Sequence, residues 1–282
     1  MTPFAKDILF NCFWVVVYSV IQGGWQCTTI NTYGNSLSQA SFTLIELTLQ
    51  MAHPAPQDKA AAFHGALVNH INSSVLVANM FFGDQLGLFR GMKDAGRPVN
   101  SQDLANLTGT DERYVREWLI NQAANQVVDY DSKEGTFILP EHIAQVLLST
   151  DQMFGAIQTF IGLMKKIDVI TNNIRTGGGI AWGDNDPHLL EGVPRFFNPV
   201  YESCLIQQWI PALDGVQQKL ENVGSVVLDV GCGNGFSTAL LAKAFPNSRV
   251  VGFDYHEGSI NAAKQQAAKL GNTPHPNRTL EQ

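Results

Sequence analysis

From Asp58 onward the chain has a clear pattern of apolar and polar positions. Phe63, Leu67 and Ile71 recur every four residues, as one face of a helix requires. Val75, Asn79, Phe82 and Leu86 carry the spacing into a second helix, with Gly87 and Gly91 marking its end. A short helix follows over Gln102–Leu107, with Ser101 as its N-cap because a hydroxyl there can accept a free backbone N–H. Thr108-Gly109-Thr110 makes a turn. Asp111 then opens a stronger helix with Tyr114, Val115, Trp118 and Leu119 on one face. Val127–Tyr130 and Thr136–Leu139 flank a polar, glycine-bearing stretch and read as a hairpin. Pro140-Glu141 opens a last helix through Leu148. Helix, turn, helix and two-stranded wing make residues 58–150 a winged-helix domain.

That arrangement raises DNA binding, and charge bears on it. Residues 58–150 hold seven Lys/Arg and eleven Asp/Glu, a local net charge of −4. The helix over 111–125 sets Arg113 and Arg116 against Asp111, Glu112 and Glu117. Phosphate contact would face repulsion, so nucleic acid is not the expected partner. The module is expected to pack and to form a homodimer instead.

Residues 151–222 read as a helical connector. Phe154–Ile174 is expected as one helix with an almost continuous apolar surface, and Lys165-Lys166 sit on its exposed side. The stretch Gly177-Gly178-Gly179-Ile180-Ala181-Trp182 is either a flexible connector or a loop that closes over a ligand with Trp182 as an apolar wall. Pro194–Pro199 begins another helical stretch, along which Tyr201 and Glu202 look exposed; Tyr201 is read first as packing.

The last segment carries the chemistry. Ser225–Val230 is a continuous apolar run broken by Asp229, which fits a parallel strand buried on both faces. Gly231-Cys232-Gly233-Asn234-Gly235 follows at once, then a helix over Phe236–Ala244, then a second strand, Arg249–Phe253, ending at Asp254. Glycines let such a turn bring backbone N–H groups against a ligand beyond the strand's carboxyl end. Asp254 lies 25 residues after Asp229 and can accept both ribose hydroxyl protons. The glycines do not follow the dinucleotide spacing G-x-G-x-x-G, and Asp229 would oppose a pyrophosphate. That carboxylate suits a ligand with an ammonium and a sulfonium, reached directly or through water. Cys232 is read as a small residue filling the turn.

Composition adds two points. The net charge is −7 with only 15% charged residues, and the first 57 residues hold only Lys6, Asp7 and Glu46. Within them Ile8–Ile21 is apolar but shorter than the roughly 18–20 residues that cross a bilayer. Residues 1–50 are read as lying outside the working enzyme, from a misplaced start ahead of Met51; a signal or membrane segment and a packed extension are the alternatives. The four cysteines, Cys12, Cys27, Cys204 and Cys232, form no C-x-x-C pair and no zinc spacing, so no metal site is expected and a reducing, cytoplasmic setting is the default.

Residues 226–258 resemble motif I and the following acidic strand of class I S-adenosylmethionine-dependent methyltransferases. The longer stretch 58–270 is similar to a subfamily with an N-terminal winged-helix domain, in the runs from Asp111 to Leu119, Arg175 to Gly179 and Asn247 to Asp254. The resemblance implies an α/β protein, a mostly helical winged-helix domain followed by an incomplete Rossmann-like sheet over 223–282. It implies S-adenosylmethionine held by Asp229, Gly231, Cys232, Gly233, Asn234, Gly235, Asp254 and Tyr255, with the methionine part around the turn and the ribose on Asp254. It implies methyl transfer to a small-molecule acceptor, with no residue assigned as base, and sets the glycines at 177–179 near the substrate entrance. His256 is read as a surface residue, with a contact to adenine as the alternative. Only two strands are expected, so the chain is read as cut short of the full fold, with loss of activity one consequence, and strands borrowed from a partner as the alternative. The rival function is a non-catalytic winged-helix dimer or regulator with a vestigial nucleotide turn.

Overall fold

A computed structural model of the chain describes residues 56–222, 224–269 and 278–281. The readings made on residues 1–50 and on Met51 lie outside the described residues. From Gln57 onward the chain forms one unit.

The two helices expected at the start are a single one, α1 (Pro56–Gln85). No breaker interrupts it at the expected junction. Ser73 and Ser74 turn their hydroxyls back onto the carbonyls of Asn69 and Ile71, at 2.8 and 2.7 Å. Gly87 ends the run in a left-handed conformation, but Gly91 lies inside α2 (Leu88–Ala95) rather than at an end. The next helix, α3 (Ser101–Thr108), is capped one residue earlier than expected. Asn100 accepts the Asp103 N–H at 2.8 Å, while the Ser101 hydroxyl donates to Glu112 at 2.5 Å. Asp111 caps α4 (Glu112–Ala124) through the Arg113 N–H. Val115, Trp118 and Leu119 are buried, but Tyr114 turns outward. Arg116 is paired with Glu112 at 2.9 Å. The wing is β1 (Asp129–Asp131) against β2 (Thr136–Ile138), antiparallel, with Val99 joined to Phe137 by two backbone bonds. Helix α5 (Glu141–Leu148) follows.

These elements enclose one core of Leu88, Phe89, Val99, Leu104, Leu119 and neighbours. Phe89 meets Trp118 edge-on at 4.9 Å, and the Trp118 indole donates to the Asn79 carbonyl at 2.8 Å, tying α4 to α1. Much of the face of α1 made by Phe63, Leu67, Ile71 and Val75 stays exposed.

The expected helix 154–174 is two, α6 (Gln152–Met164) and α7 (Ile167–Thr176), broken at the two lysines. Helix α8 (Pro187–Val200) starts well before Pro194, where Asp186 caps the His188 N–H and Pro187 sits in the first turn. Three glycines let α6 and α8 touch backbone to backbone. Gly155 faces the Phe196 backbone, Gly162 the Leu189 backbone and Gly192 that of Thr159. A π-helix, Tyr201–Trp209, continues α8, and α9 (Val216–Glu221) leads to the sheet.

The sheet has three described strands, not two: β3 (Val226–Val230), β4 (Arg249–Phe253) and β5 (Arg278–Glu281), in that order and all parallel. The polar tail thus supplies a strand, because α11 (Glu257–Lys269), like α10 (Phe236–Ala244) before it, carries the chain back to the start of the sheet. β4 is central and buried. β3 is not buried on both faces: Val226, Leu228 and Val230 are 61%, 60% and 82% exposed, since no described element covers that face of this edge strand. Among the described residues no helix is long and apolar enough to cross a membrane.

Candidate functional site

The carboxyl ends of β3 and β4 meet at the glycine turn. Gly231, Gly233 and Gly235 have φ of 78°, 55° and 70°, a region that side chains disfavour. The first two open onto free space, with nothing within 4 Å of where a Cβ would stand. Gly235 is different. A Cβ there would lie 2.7 Å from that of Ala263, so this glycine lets α10 pack against α11.

Four of the turn's amides are engaged within the protein. The Gly231 and Cys232 N–H groups both donate to the Phe253 carbonyl, at 2.7 and 2.9 Å, and the Gly235 N–H donates to Cys232. The Gly233 N–H donates to Asp254 at 3.0 Å. These bonds lock the turn to the end of β4. The glycines at 231 and 233 therefore offer clearance rather than free donors.

Two carboxylates flank that clearance. Asp229 accepts the Ser237 and Thr238 hydroxyls on one oxygen, at 2.8 and 2.6 Å. Asp254 accepts Gly233 on one oxygen and the His256 N–H on the other, at 2.9 Å. Among the described residues neither acid forms an ion pair. Two uncompensated carboxylates beside one turn favour a cation and disfavour a phosphate. Cys232 lies between them. Burial, then Asp229 and Asp254, pushes its thiol up to about 11, so it stays protonated and unreactive.

Further groups gather here. Ser237 and Thr238 orient Asp229; their only sequence signal is a pair of hydroxyls in the first turn after the glycines. Tyr201 opens the π-helix that packs on α10, its ring stacked on Phe197 at 5.9 Å and edge-on to Trp209 at 6.0 Å. Burial, with Asp229 as the second cause, raises its phenol above the ordinary range. Tyr201 is thus both packing and neighbour to the acid. Past Asp254, the Tyr255 hydroxyl accepts the Trp182 N–H at 2.7 Å, which brings the end of the glycine-rich loop to the strand end. His256 is no free surface residue: its Nδ1 accepts the Ser259 N–H at 3.2 Å and caps α11. The Asn234 side chain turns back to the Phe236 N–H at 3.4 Å. Among the described residues no cluster of metal-ligating side chains occurs.

The sequence matches the Rv2258c-like winged HTH domain over residues 74–149 and a methyltransferase domain over 221–281. Human MTRF1L release factor glutamine methyltransferase is 34% identical over 85 residues, covering 29% of this chain and 25% of that protein. The mitomycin 7-O-methyltransferase MmcR superposes with a TM-score of 0.57 at 18% identity, over 77% of this chain and 65% of that one. Human N-acetylserotonin methyltransferase, solved with S-adenosylmethionine, gives 0.53 at 14% identity, over 82% and 67%. The chain thus spans a quarter of the length of the human glutamine methyltransferase and about two thirds of the two solved enzymes. At these identities the structural likeness is one of fold. The chain joins an Rv2258c-like winged helix-turn-helix domain to a class I methyltransferase fold.

Proposed function

We propose that the chain binds S-adenosylmethionine and serves methyl transfer to a small-molecule acceptor. The observation that carries this is the pair of carboxylates, Asp229 and Asp254, on either side of an open glycine turn, neither in an ion pair among the described residues. Bound there, S-adenosylmethionine supplies a methyl group on a sulfonium, open to in-line displacement. Asp229, held by Ser237 and Thr238, takes the cationic methionine end, and Asp254 takes the ribose hydroxyls. Gly231 and Gly233 leave the room, and Asn234 and Tyr255 border it. The protein's share of the chemistry is alignment and exclusion of water, to which the Trp182 loop contributes. The small-molecule class of acceptor is supported by the fold shared with the mitomycin enzyme. A cytoplasmic setting belongs to the same reading.

The test is calorimetric titration of S-adenosylmethionine into the full chain. Saturable heat is expected, lost in the Asp229→Ala, Asp254→Ala double variant. Absence of heat from folded wild-type protein would sink the reading. A winged-helix homodimer is the second part of the proposal. It is favoured by the apolar stripe of Phe63, Leu67, Ile71 and Val75, with Phe63 71% exposed.

A further inference from the structure

The glycine-rich segment after α7 ends in contacts that neither its glycines nor the nucleotide motif predicts. Tyr255 and His256 make them, next to Asp254 at the end of β4. Asp254 holds the glycine turn through the Gly233 N–H. Tyr255 holds the loop through the Trp182 N–H at 2.7 Å. His256 lies against Gly183, where a Cβ would stand 2.7 Å from its Nε2. The imidazole has little freedom to retreat, because its Nδ1 is bonded to the Ser259 hydroxyl and N–H, at 3.0 and 3.2 Å. Tyr255 is 61% exposed even though its hydroxyl is engaged. An open aromatic face beside the ribose acid, pinned at its tip, suits packing against a planar base.

We propose that Tyr255 is a positioning residue that couples cofactor occupancy to the 177–184 loop. Its ring packs on the base of the bound nucleoside while its hydroxyl carries the loop at Trp182. Binding that stills the ring lowers the cost of ordering the loop, and an ordered loop holds the ring ready for the ligand. This rests on the S-adenosylmethionine reading above and adds to it a second element that responds to the ligand.

The test is hydrogen exchange on the full chain, with S-adenosylhomocysteine as the probe and its affinity measured in parallel. In the wild type, peptides covering 176–184 exchange more slowly with the ligand than without it. Tyr255→Phe keeps the ring and removes the acceptor. It is expected to speed exchange of that segment and weaken binding, each roughly five- to tenfold, for the loss of one hydrogen bond. The slowing by ligand should vanish with it. Gly183→Ala keeps the hydroxyl but pushes the loop off His256, and should reproduce both effects. Unchanged exchange of 112–124 in each variant shows that the fold is intact. Binding with no response of 176–184, or wild-type affinity and response in both variants, overturns the coupling and leaves the cofactor reading standing. No binding by the wild type overturns both.

Discussion

Gly235 shows how a single residue serves the packing around the site. It has a φ of 70°, and a Cβ would meet Ala263 of α11 at 2.7 Å. Gly235→Ala therefore pays for a left-handed backbone and for a clash, about 2 kcal/mol for the backbone alone. Urea unfolding should show a loss of at least that size. Cys232 makes the opposite kind of prediction. With its thiol pushed up to about 11 by burial and two carboxylates, it is almost wholly protonated at pH 8. Iodoacetamide at that pH should leave it unmodified in the native chain over a time that fully alkylates an unfolded control. Rapid native labelling would show that the thiol is neither buried nor depressed in reactivity. The acids and glycines of this site were legible in the sequence, because a strand, a turn and a second strand of fixed length bring them together locally. The roles of the amides were not. Whether an N–H faces a ligand or the Phe253 carbonyl depends on how the next strand lies, which no residue type encodes.

At the scale of elements, the turn between α3 and α4 is stapled by Ser101 and Glu112. The Ser101 hydroxyl, and then Arg116, hold the Glu112 carboxyl below its ordinary range. A carboxyl whose folded value is depressed adds stability above its unfolded value, near 4.3, and loses it as pH falls through the folded value. The stability gap between wild type and Glu112→Gln should therefore be constant from about pH 7 down to about 5 and close at more acid pH. A gap that stays open at pH 2.5 would show that the carboxylate charge contributes nothing. The same region shows how boundaries escape a sequence reading. Asn100 and Ser101 are both good caps, and the choice fell to Asn100 because Ser101 has a partner on the next helix, eleven residues on. Likewise α1 runs unbroken through Ser73 and Ser74, whose hydroxyls found carbonyls within the helix.

In the whole molecule, one guanidinium ties the winged helix to the helices before the sheet. Arg195 on α8 binds Asp84 near the end of α1 through two bonds of 2.6 and 2.7 Å, and lies 5.7 Å from the Phe154 ring centre. The Asp84 side chain is only 6% exposed. Arg195→Ala strands that carboxylate and is expected to cost about 3 kcal/mol, read by urea unfolding. The Asp84→Asn, Arg195→Met double variant should recover much of it. The apolar stripe on α1 makes a separate prediction. If it seats a second copy, Leu67→Glu shifts light scattering from dimer to monomer while leaving the circular dichroism unchanged. A monomeric wild type would remove the dimer from the proposal.

The sequence by itself determined the local units: the helix-turn-helix with its wing, the strand–glycine turn–helix–strand order, and the two acids that close it. Each rests on interactions within a few tens of residues, where periodicity, caps and breakers act directly. Only the tertiary structure decided the rest. It joined the polar tail to β4 as a third described strand and left one face of β3 uncovered by any described element. It pressed α6 on α8 through three glycines. It set Trp182 on Tyr255, 73 residues away. Those outcomes depend on which surfaces meet once the local units dock, and a one-dimensional pattern of apolar and polar residues does not specify a partner at that distance.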